Sequence, residues 1–457
     1  MDLLQALYDE RDAQAAAFDP KVTIANTRTG RGLVLTEDVK SLQCVLCIPR
    51  RLQVTPKGLL SGKARLLEPR LQHKRPKPGA KPLTTSQIMS LVKAAWRING
   101  GTRFDPFFAM LPTEFNSVPL VWQEAPYDSS CQALLDALPE SVRFYASALR
   151  KSFQEDWAAV QHALQESPEE CSDLWHGVGG TGPLNITHEA FLWASLCIST
   201  RSIYNDLGYV SRGDNIALAP MLDMANHTND SLRLFIVTYN NRGDIELRAP
   251  IGGAKKGDEA CFSYGAHSNA KLLAYYGFAL PPVGGGEWPR DPYAGVLVDE
   301  AVKSRIGNQK WIIELLEKHN YWGDYTMHPI PPPAHPSHRL VMALRLVCAV
   351  EDYAAARSMH TSAPQSGPYR EIENAWCQVA NGRREYISAA NEASVRAAVI
   401  EIATNAHDDL VTRRDALSKA EISPTAQISA QYIHTILQDE IETCLRVLAS
   451  ASQPNSW

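Results

Sequence analysis

The chain has 457 residues, more than one compact core usually contains, so two domains or one domain with a large insertion are expected. Hydrophobic residues make up 45% and charged residues 21%, which is typical of a soluble globular protein. The chain has 45 Lys and Arg and 50 Asp and Glu, and the resulting net charge of -5 argues against a nucleic-acid partner or an anionic membrane surface.

The nine cysteines are scattered, odd in number and often embedded in apolar runs. This usage favours reduced core thiols in an intracellular protein, so a cytoplasmic location is expected. Cys44 and Cys47 form a lone CxxC without a second pair at zinc spacing, and core thiols are favoured there over a metal or redox site. The basic residues 73–78 indicate a solvated loop, with a nuclear-import patch and an additional nuclear location as the alternative.

The predicted elements begin with a short helix over residues 3–11. Short apolar runs between turn residues predict a small β-meander over residues 22–54. Residues 59–81 are basic and rich in Pro and Gly, which indicates a linker or exposed loop. Between residues 84 and 197 the apolar spacing of three and four predicts helices, one of them beginning at Thr187. A helical block between two strand-rich blocks is interpreted as an insertion.

Strand patterns return in the middle of the chain, at residues 216–219, 232–239, 244–249 and 259–263. A loop rich in Gly and Pro follows at residues 281–292. Beyond Val298 the pattern is predominantly helical, at residues 310–317, 337–353, 396–405 and 428–448. A stiff Pro-rich linker at residues 329–336 interrupts these helices, so a separate helical C-terminal domain is expected.

The most informative stretch is Asp223-Met-Ala-Asn226-His227, which is followed 37 residues after His227 by Tyr264-Gly265. Polar residues between apolar ones, followed by a Tyr-Gly turn, indicate a buried polar site rather than a plain core. Two further segments accompany it in chain order, a Gly-Arg-Gly turn at residues 30–32 and Tyr-Gly-Phe at residues 276–278.

Together these segments resemble the SET-domain protein methyltransferases, in particular the branch typified by the lysine methyltransferase of the Rubisco large subunit. The resemblance implies a mixed α+β fold, with a β-rich SET domain over residues 18–283 and a helical insertion at about 84–197. It also implies an all-α substrate-binding domain over residues 298–457. Histone-type SET enzymes carry a cysteine-rich zinc segment after the Tyr-Gly region, and residues 279–292 contain no cysteine, which favours a non-histone substrate.

The resemblance implies S-adenosyl-L-methionine as methyl donor and no metal. Tyr264 matches the catalytic tyrosine, whose phenol oxygen borders the sulfur and methyl group. Asn226 and His227 match the pair that holds the two ends of the cofactor, and Arg201 matches the arginine that pairs with its carboxylate. Other matches to cofactor-contacting positions are Thr29, Gly30, Arg31, Asp223 and Phe278. Taken singly, each residue has an ordinary structural explanation, such as a hairpin glycine, a helix-end arginine or a core phenylalanine.

The acceptor pocket is interpreted by comparison with the actin-histidine methyltransferases of the same branch. Ile203 and Leu222 stand where those enzymes have an Asn and a Trp, and apolar walls favour a lysine stem over an imidazole. The second aromatic residue of the lysine channel is Phe235 or Tyr239, or it is absent. The number of methyl groups added therefore stays open.

The expected function is lysine N-methylation of a non-histone protein by a monomeric enzyme, with ribosomal and translation-related proteins among the candidate substrates. A protein-histidine methyltransferase and a catalytically silent SET protein that binds a partner are the alternatives. A GxGxxG pattern at residues 177–182 follows Trp-His rather than a strand, so we interpret it as a loop and not as a dinucleotide-binding turn.

Overall fold

The computed structural model describes residues 20–27, 30–75, 78–281, 291, 293–357 and 367–453. The chain divides into two compact units, the first formed by Met1–Phe115 and Ala148–Ala266 and the second by Asn116–Ser147 and His267–Trp457. The helix predicted at residues 3–11 lies outside the described residues. None of the described helices is both long and apolar enough to cross a membrane.

The described strands of the first unit are short and antiparallel: β1 (Val22–Thr27), β2 (Gly30–Leu35), β3 (Cys44–Ile48), β4 (Ser202–Tyr204), β5 (Ile216–Leu218), β6 (Ile236–Tyr239) and β7 (Ile245–Arg248). β1 pairs with β2, β4 pairs with β5, and β7 lies between β3 and β6. In β7, Ile245 and Leu247 are buried while their neighbours are partly exposed, as a strand with one packed face requires. The predicted meander is wrong, because β3 pairs with β7 instead of β2.

Residues 259–263, predicted as one strand, divide their backbone pairing between several segments. Glu259 forms a bridge with Val34, whereas Phe262 forms bridges with both His227 and Phe235. The strand prediction is wrong in this detail, because no single neighbour accepts the whole segment. The divided pairing brings the β2 hairpin and the residues around His227 to the same short stretch of chain.

The described α-helices of the first unit are Pro56–Leu59, Thr85–Asn99, Asp105–Phe108, Pro168–Gly177 and His188–Arg201. The α-helix Glu140–Glu166 contains a boundary between the units. Helix Thr85–Asn99 begins with a capping box, in which the Thr84 side chain accepts from the Gln87 amide. The Thr187 side chain accepts from the Ala190 amide and so caps the helix His188–Arg201, which confirms the predicted start. The two helices pack together, with the Trp96 and Trp193 rings stacked at 6.3 Å.

A buried lysine lies between these two helices. The Lys93 side chain has 0% exposure, and its Nζ donates to the Phe108 carbonyl at 2.9 Å. The rings of Trp96, Phe108 and Trp193 lie 4.0, 4.3 and 4.5 Å from the same nitrogen. Burial lowers the pKa of Lys93 to about 7, while the ring faces and the carbonyl favour its ammonium form.

Of the glycine-rich residues 177–182, which were predicted to form a loop, residues 178–182 do so. Gly177 ends the helix Pro168–Gly177, so a helix and not a strand precedes the loop. A Cβ atom on Gly180 would lie 2.2 Å from the Trp175 ring, so close packing against Trp175 requires glycine there.

The second unit is mainly helical among its described residues: Pro119–Glu124, Ser130–Ala137, Asn269–Tyr276, Asp299–Ile306, Lys310–Lys318, His338–Arg357, Gly367–Ala380, Ala389–Lys419 and Gln427–Ala451. Their apolar side chains share one core, in which Trp376 is fully buried and donates to the Met342 carbonyl at 2.8 Å. The predicted helical character of the tail is confirmed. The helix predicted at residues 396–405 is longer than expected, because Ser388 caps it well before that range.

The second unit also contains a small sheet that the sequence did not predict. Its strands β8 (Val296–Leu297), β9 (Thr326–His328) and β10 (His335–Pro336) are antiparallel, with β9 in the middle. The all-α prediction for residues 298–457 is therefore corrected to a helical region with a small sheet. Strands of two or three residues are too short to show an alternating pattern. The boundaries 18–283 and 298–457 remain predictions.

Candidate active site

Tyr264 is held at both ends by the segment that contains Asn226 and His227. Its backbone amide donates to His227 Nδ1 at 3.1 Å, and its hydroxyl donates to the Ala225 carbonyl at 2.9 Å. The Tyr264 and His227 rings lie 5.1 Å apart with a tilt of 30°. The structure thus brings together three residues that the sequence predicted as one site.

The hydrogen bond to His227 also fixes the form of its ring. Because Nδ1 accepts from the Tyr264 amide, it carries no proton, and the ring proton lies on Nε2. The His227 side chain is buried at 7% exposure, and its backbone bridges Phe262. The buried His227 ring therefore holds the Tyr264 backbone amide, a contact that the Asn-His dipeptide alone did not predict.

Asn226 connects this segment to the Gly-Arg-Gly turn. Its side-chain amide donates to Glu259 Oε1 at 2.7 Å and to the Arg31 carbonyl at 3.3 Å. A Cβ atom on Gly32 would lie 2.5 Å from Glu259 Oε1 and 2.8 Å from Asn226 Nδ2. At the neighbouring position Gly30, the backbone itself favours glycine, because its φ of +114° is a conformation that other residues rarely adopt. The turn can therefore approach Asn226 closely because Gly32 has no side chain.

Asp223 places a buried carboxyl group beside a partly buried arginine. The residue is 6% exposed, and neither carboxylate oxygen has a hydrogen-bond partner among the described residues. Burial raises the pKa of Asp223 to about 6, and the positive charge of Arg201 opposes that shift. Arg201 Nη1 donates to the backbone carbonyl of Asp223, so this hydrogen bond leaves the carboxylate oxygens open.

The remaining cofactor predictions have different outcomes. The Arg31 guanidinium donates to the Met110 carbonyl at 3.0 Å, while the Arg31 backbone carbonyl faces Asn226. Thr29 lies outside the described residues. Phe278 belongs to the second unit, where its ring lies 6.2 Å from that of Tyr276. Cofactor contacts stay predictions for all of the residues named for them: Thr29, Gly30, Arg31, Arg201, Asp223, Asn226, His227, Tyr264 and Phe278.

The predicted acceptor-pocket residues fall into two groups. Leu222 and Phe235 are buried, at 1% and 2% exposure, and Phe235 bridges the same Phe262 that precedes Tyr264. Ile203 lies in β4, half-buried and paired with Ala217. Tyr239 ends β6 with 45% exposure, and its hydroxyl donates to the Tyr204 carbonyl.

The thiols of the described chain offer neither a metal site nor an activated nucleophile. All nine cysteines are free, and burial raises the pKa of Cys261, three residues before Tyr264, to about 12. Cys44 and Cys47 lie in β3, where burial raises both pKa values to about 11. No group of three or more His, Cys, Asp or Glu side chains among the described residues could hold a metal ion.

Sequence reasoning missed Glu259, the acceptor for Asn226 Nδ2. In the sequence it follows Gly257 and Asp258, so it resembles a turn acid. The available signal was its position at the start of the Ala260-Cys-Phe run that leads to Tyr264.

Solved structures give the class of fold. The SET domain of LSMT bound to methyllysine and AdoHcy matches with a TM-score of 0.61 and 17% identity, covering 99% of this chain and 94% of that chain. The chain therefore has the SET fold, with a helical region at its C-terminal end. No family model matches the chain.

Sequence relatives agree with that fold. Ribosomal lysine N-methyltransferase set11 of Schizosaccharomyces pombe is 30% identical over 143 residues, 31% of this chain and 33% of the relative. Ribosomal lysine N-methyltransferase 2 of Saccharomyces cerevisiae is 27% identical over 250 residues, 49% of this chain and 48% of the relative. The human actin-histidine N-methyltransferase is 26% identical over 54% of this chain and 38% of the relative. The chain spans about a third to a half of these relatives, and the predicted resemblance to SET-domain protein methyltransferases is confirmed.

Proposed function

We propose that this chain is an S-adenosyl-L-methionine-dependent protein-lysine N-methyltransferase acting on a non-histone protein. The observation that carries the proposal is the double anchoring of Tyr264, by His227 Nδ1 and by the Ala225 carbonyl, next to Asn226. The names of the lysine-modifying relatives support the same reaction.

The residues fit the proposed methyl donor. Its amino acid end carries an ammonium and a carboxylate, and its sulfonium is a second positive charge. Asp223 supplies a buried carboxylate whose oxygens have no hydrogen-bond partner among the described residues, and Arg201 supplies a cation beside it. The missing Cβ at Gly32 allows a close backbone approach next to Asn226. When bound, the donor supplies an electrophilic methyl group that needs no metal for transfer.

Tyr264 is the proposed catalytic residue. Its hydroxyl proton is directed to the Ala225 carbonyl, so the phenol oxygen would meet a positively polarised methyl group with a lone pair and not with its hydrogen. Transfer breaks the carbon–sulfur bond, forms the carbon–nitrogen bond and requires a neutral amine whose extra proton has passed to water. Because these groups must be aligned at near-attack distance, the rigid support of Tyr264 contributes directly to rate.

Lysine is the proposed acceptor because the pocket positions are apolar. Leu222 is buried, Ile203 is aliphatic, and neither can donate to or accept from an imidazole nitrogen. We propose Phe235 as the channel aromatic, since it is buried against the segment that leads to Tyr264, whereas Tyr239 is half-exposed. The match to actin-histidine N-methyltransferases keeps a histidine acceptor as the second candidate.

The relatives' names also direct the choice of substrate. Two of them are ribosomal lysine N-methyltransferases, so a ribosomal protein is the first substrate class to test. The nine free cysteines support a reducing, cytoplasmic compartment, and a monomeric enzyme is part of the proposal.

The decisive experiment incubates the purified chain with isotope-labelled S-adenosyl-L-methionine and isolated ribosomal proteins, followed by fragment mass spectrometry. Label on a lysine, transferred much more slowly by Tyr264→Phe, is the expected result. Label on a histidine ring alone would replace the lysine assignment. Cofactor binding without transfer to any protein in a whole-cell extract would support the silent alternative.

A further inference from the structure

A cavity of about 220 Å³ opens on the first unit, in the loop that precedes the helix Thr85–Asn99. It is separate in sequence from every residue of the candidate active site. Its lining consists of Arg65, Leu66, Glu68, Pro69, Arg70, Leu71, Lys74, Arg75, Gly79, Ala80 and Pro82. Residues 76–77 of the same loop lie outside the described residues.

The backbone around the cavity is hydrogen-bonded at both ends. Leu71 forms an antiparallel bridge with Tyr209, and the Val210 amide donates to the Arg70 carbonyl at 2.9 Å. On the other side, the Leu83 amide donates to the Leu67 carbonyl at 2.9 Å. The cavity is therefore supported by defined backbone pairing, within a segment whose sequence predicted a linker or exposed loop.

The cavity concentrates positive charge that the protein does not neutralise. Four exposed cations in the lining form no ion pair or side-chain hydrogen bond with any described residue: Arg65, Arg70, Lys74 and Arg75. The one acidic lining residue, Glu68, is engaged by the Tyr209 hydroxyl at 3.4 Å. Lys63, just outside, instead has its own partner in Glu169. Such a surplus stands out in a chain with a net charge of -5.

The walls between the cations are apolar, formed by Leu66, Pro69, Leu71, Ala80 and Pro82. No aromatic ring is among the described lining residues, whereas single-stranded nucleic acid is usually held by base stacking on aromatic rings. A duplex would also need an extended row of phosphate contacts, and here the cations surround one small cavity. An apolar hollow ringed by cations complements a peptide that carries an aliphatic side chain between carboxylates.

We propose that this cavity docks an acidic, leucine-containing segment of a protein partner, with the aliphatic side chain in the cavity and the flanking carboxylates on the four cations. That the partner is the methylation substrate rests on the proposed function; the docking itself does not. The contact anchors the substrate by a segment other than the modified lysine, so its loss raises KM and leaves kcat unchanged.

The test uses the full chain and a fluorescein-labelled peptide of sequence Glu-Asp-Glu-Leu-Asp-Glu-Asp, followed by fluorescence polarisation without methyl donor. Binding should weaken with added salt, and Arg70→Glu with Arg75→Glu should lower the affinity about tenfold or more. Lys40→Glu, at an exposed lysine outside the cavity, should change the affinity by less than about twofold. Replacing the peptide's Leu by Ser should also weaken binding.

Three results would overturn the docking proposal: no binding of the peptide, equal loss with Lys40→Glu, or a labelled RNA or anionic vesicle that binds through Arg70 and Arg75 while the peptide does not. Near-ultraviolet circular dichroism shows that each variant is folded, whether or not it binds a methyl donor. The outcome is distinguishable from failure of the proposed function, because peptide binding is measured without catalysis. Peptide binding in a chain that transfers no methyl group would sustain the docking site and reject the enzyme.

Discussion

Asp223→Asn should separate the stability of the protein from its affinity for the methyl donor. Burial raises the pKa of Asp223 from 3.8 to about 6, so the folded state retains the proton more strongly than the unfolded state. The stability contributed by this group is therefore fully present below pH 3.8 and is lost as the pH rises through about 6. At neutral pH the carboxylate is charged inside the fold without full compensation.

The size of the effect follows from the two pKa values. A shift of about two units corresponds to about 3 kcal/mol in the free energy of unfolding at pH 7. The Asn variant, which cannot ionise, should gain up to that amount at pH 7 and only about 1.5 kcal/mol at pH 5. Burying the new amide group without partners costs about 1 to 3 kcal/mol, but this cost is independent of pH. The diagnostic quantity is therefore the pH-dependent part of the difference.

The assay is urea unfolding of both proteins between about pH 5 and pH 8, monitored by tryptophan fluorescence and analysed by linear extrapolation. Calorimetry with S-adenosyl-L-methionine at pH 7 accompanies it. The same substitution should weaken cofactor binding about tenfold or more, because a carboxylate facing a cation is lost. A stability difference that is flat with pH, together with unchanged affinity, would show that Asp223 is an ordinary buried acceptor.

Three further predictions are tested by methyl-transfer kinetics, binding calorimetry and urea unfolding. Tyr264→Phe should lower kcat about tenfold or more and change cofactor affinity little, since the hydroxyl is proposed to act on the transferring group; an unchanged kcat in a folded variant would reject this role. Gly32→Ala should weaken cofactor binding, because the new methyl group would displace Asn226 and Glu259. Gly252→Ala is the control, since Gly252 has open space where the methyl group would lie, and it should leave cofactor binding unchanged. Equal effects of the two substitutions would refute the steric argument. The pKa of Lys93 is lowered to about 7 in the folded protein. The free energy of unfolding of the wild type should therefore rise, relative to Lys93→Met, by about 1.4 kcal/mol per pH unit from about pH 7 toward 10.5. A difference that does not change with pH would show that the aromatic rings keep Lys93 in its ammonium form.

The motif residues were predictable because the proposed methyl transfer restricts which residue types can stand at their positions. Asn226, His227 and Tyr264 are polar residues in apolar surroundings. The Tyr264 amide donates to His227 Nδ1, and its hydroxyl donates to the carbonyl of Ala225, the residue before Asn226. Glu259 was not predictable as their partner, since a carboxylate near a glycine turn is ordinary in any sequence. Its role depends on the pairing of Glu259 with Val34, a contact between residues far apart in the chain.

Lys93 shows a second limit of sequence reasoning. In the helix Thr85–Asn99, a lysine among apolar residues resembles a solvated position at the edge of the apolar face. Its burial depends on three aromatic rings: that of Trp96 in the same helix, and those of Phe108 and Trp193 in two other helices. Local periodicity cannot detect a cation whose compensation is tertiary.

The core of the second unit predicts how the chain responds to truncation. Trp122, Leu134 and Val142 are buried in the same cluster as the side chains of the helices Ala389–Lys419 and Gln427–Ala451. Polar contacts join the same two regions, since the Ser423 amide donates to Ser130 Oγ at 3.0 Å.

Removal of residues from 299 onward would therefore expose Trp122 and Leu134, now at 1% and 0% exposure, instead of releasing an independent module. Exposing several large apolar side chains costs about 1.5 to 3 kcal/mol for each, which is comparable to the whole stability of many domains. The truncated chain should aggregate or lose its near-ultraviolet circular dichroism, as size-exclusion chromatography with light scattering and spectroscopy would show. A monodisperse truncation with native near-ultraviolet spectrum would refute a shared core. Because of that core, the part played by the helical region in substrate binding is better tested by surface substitutions than by deletion.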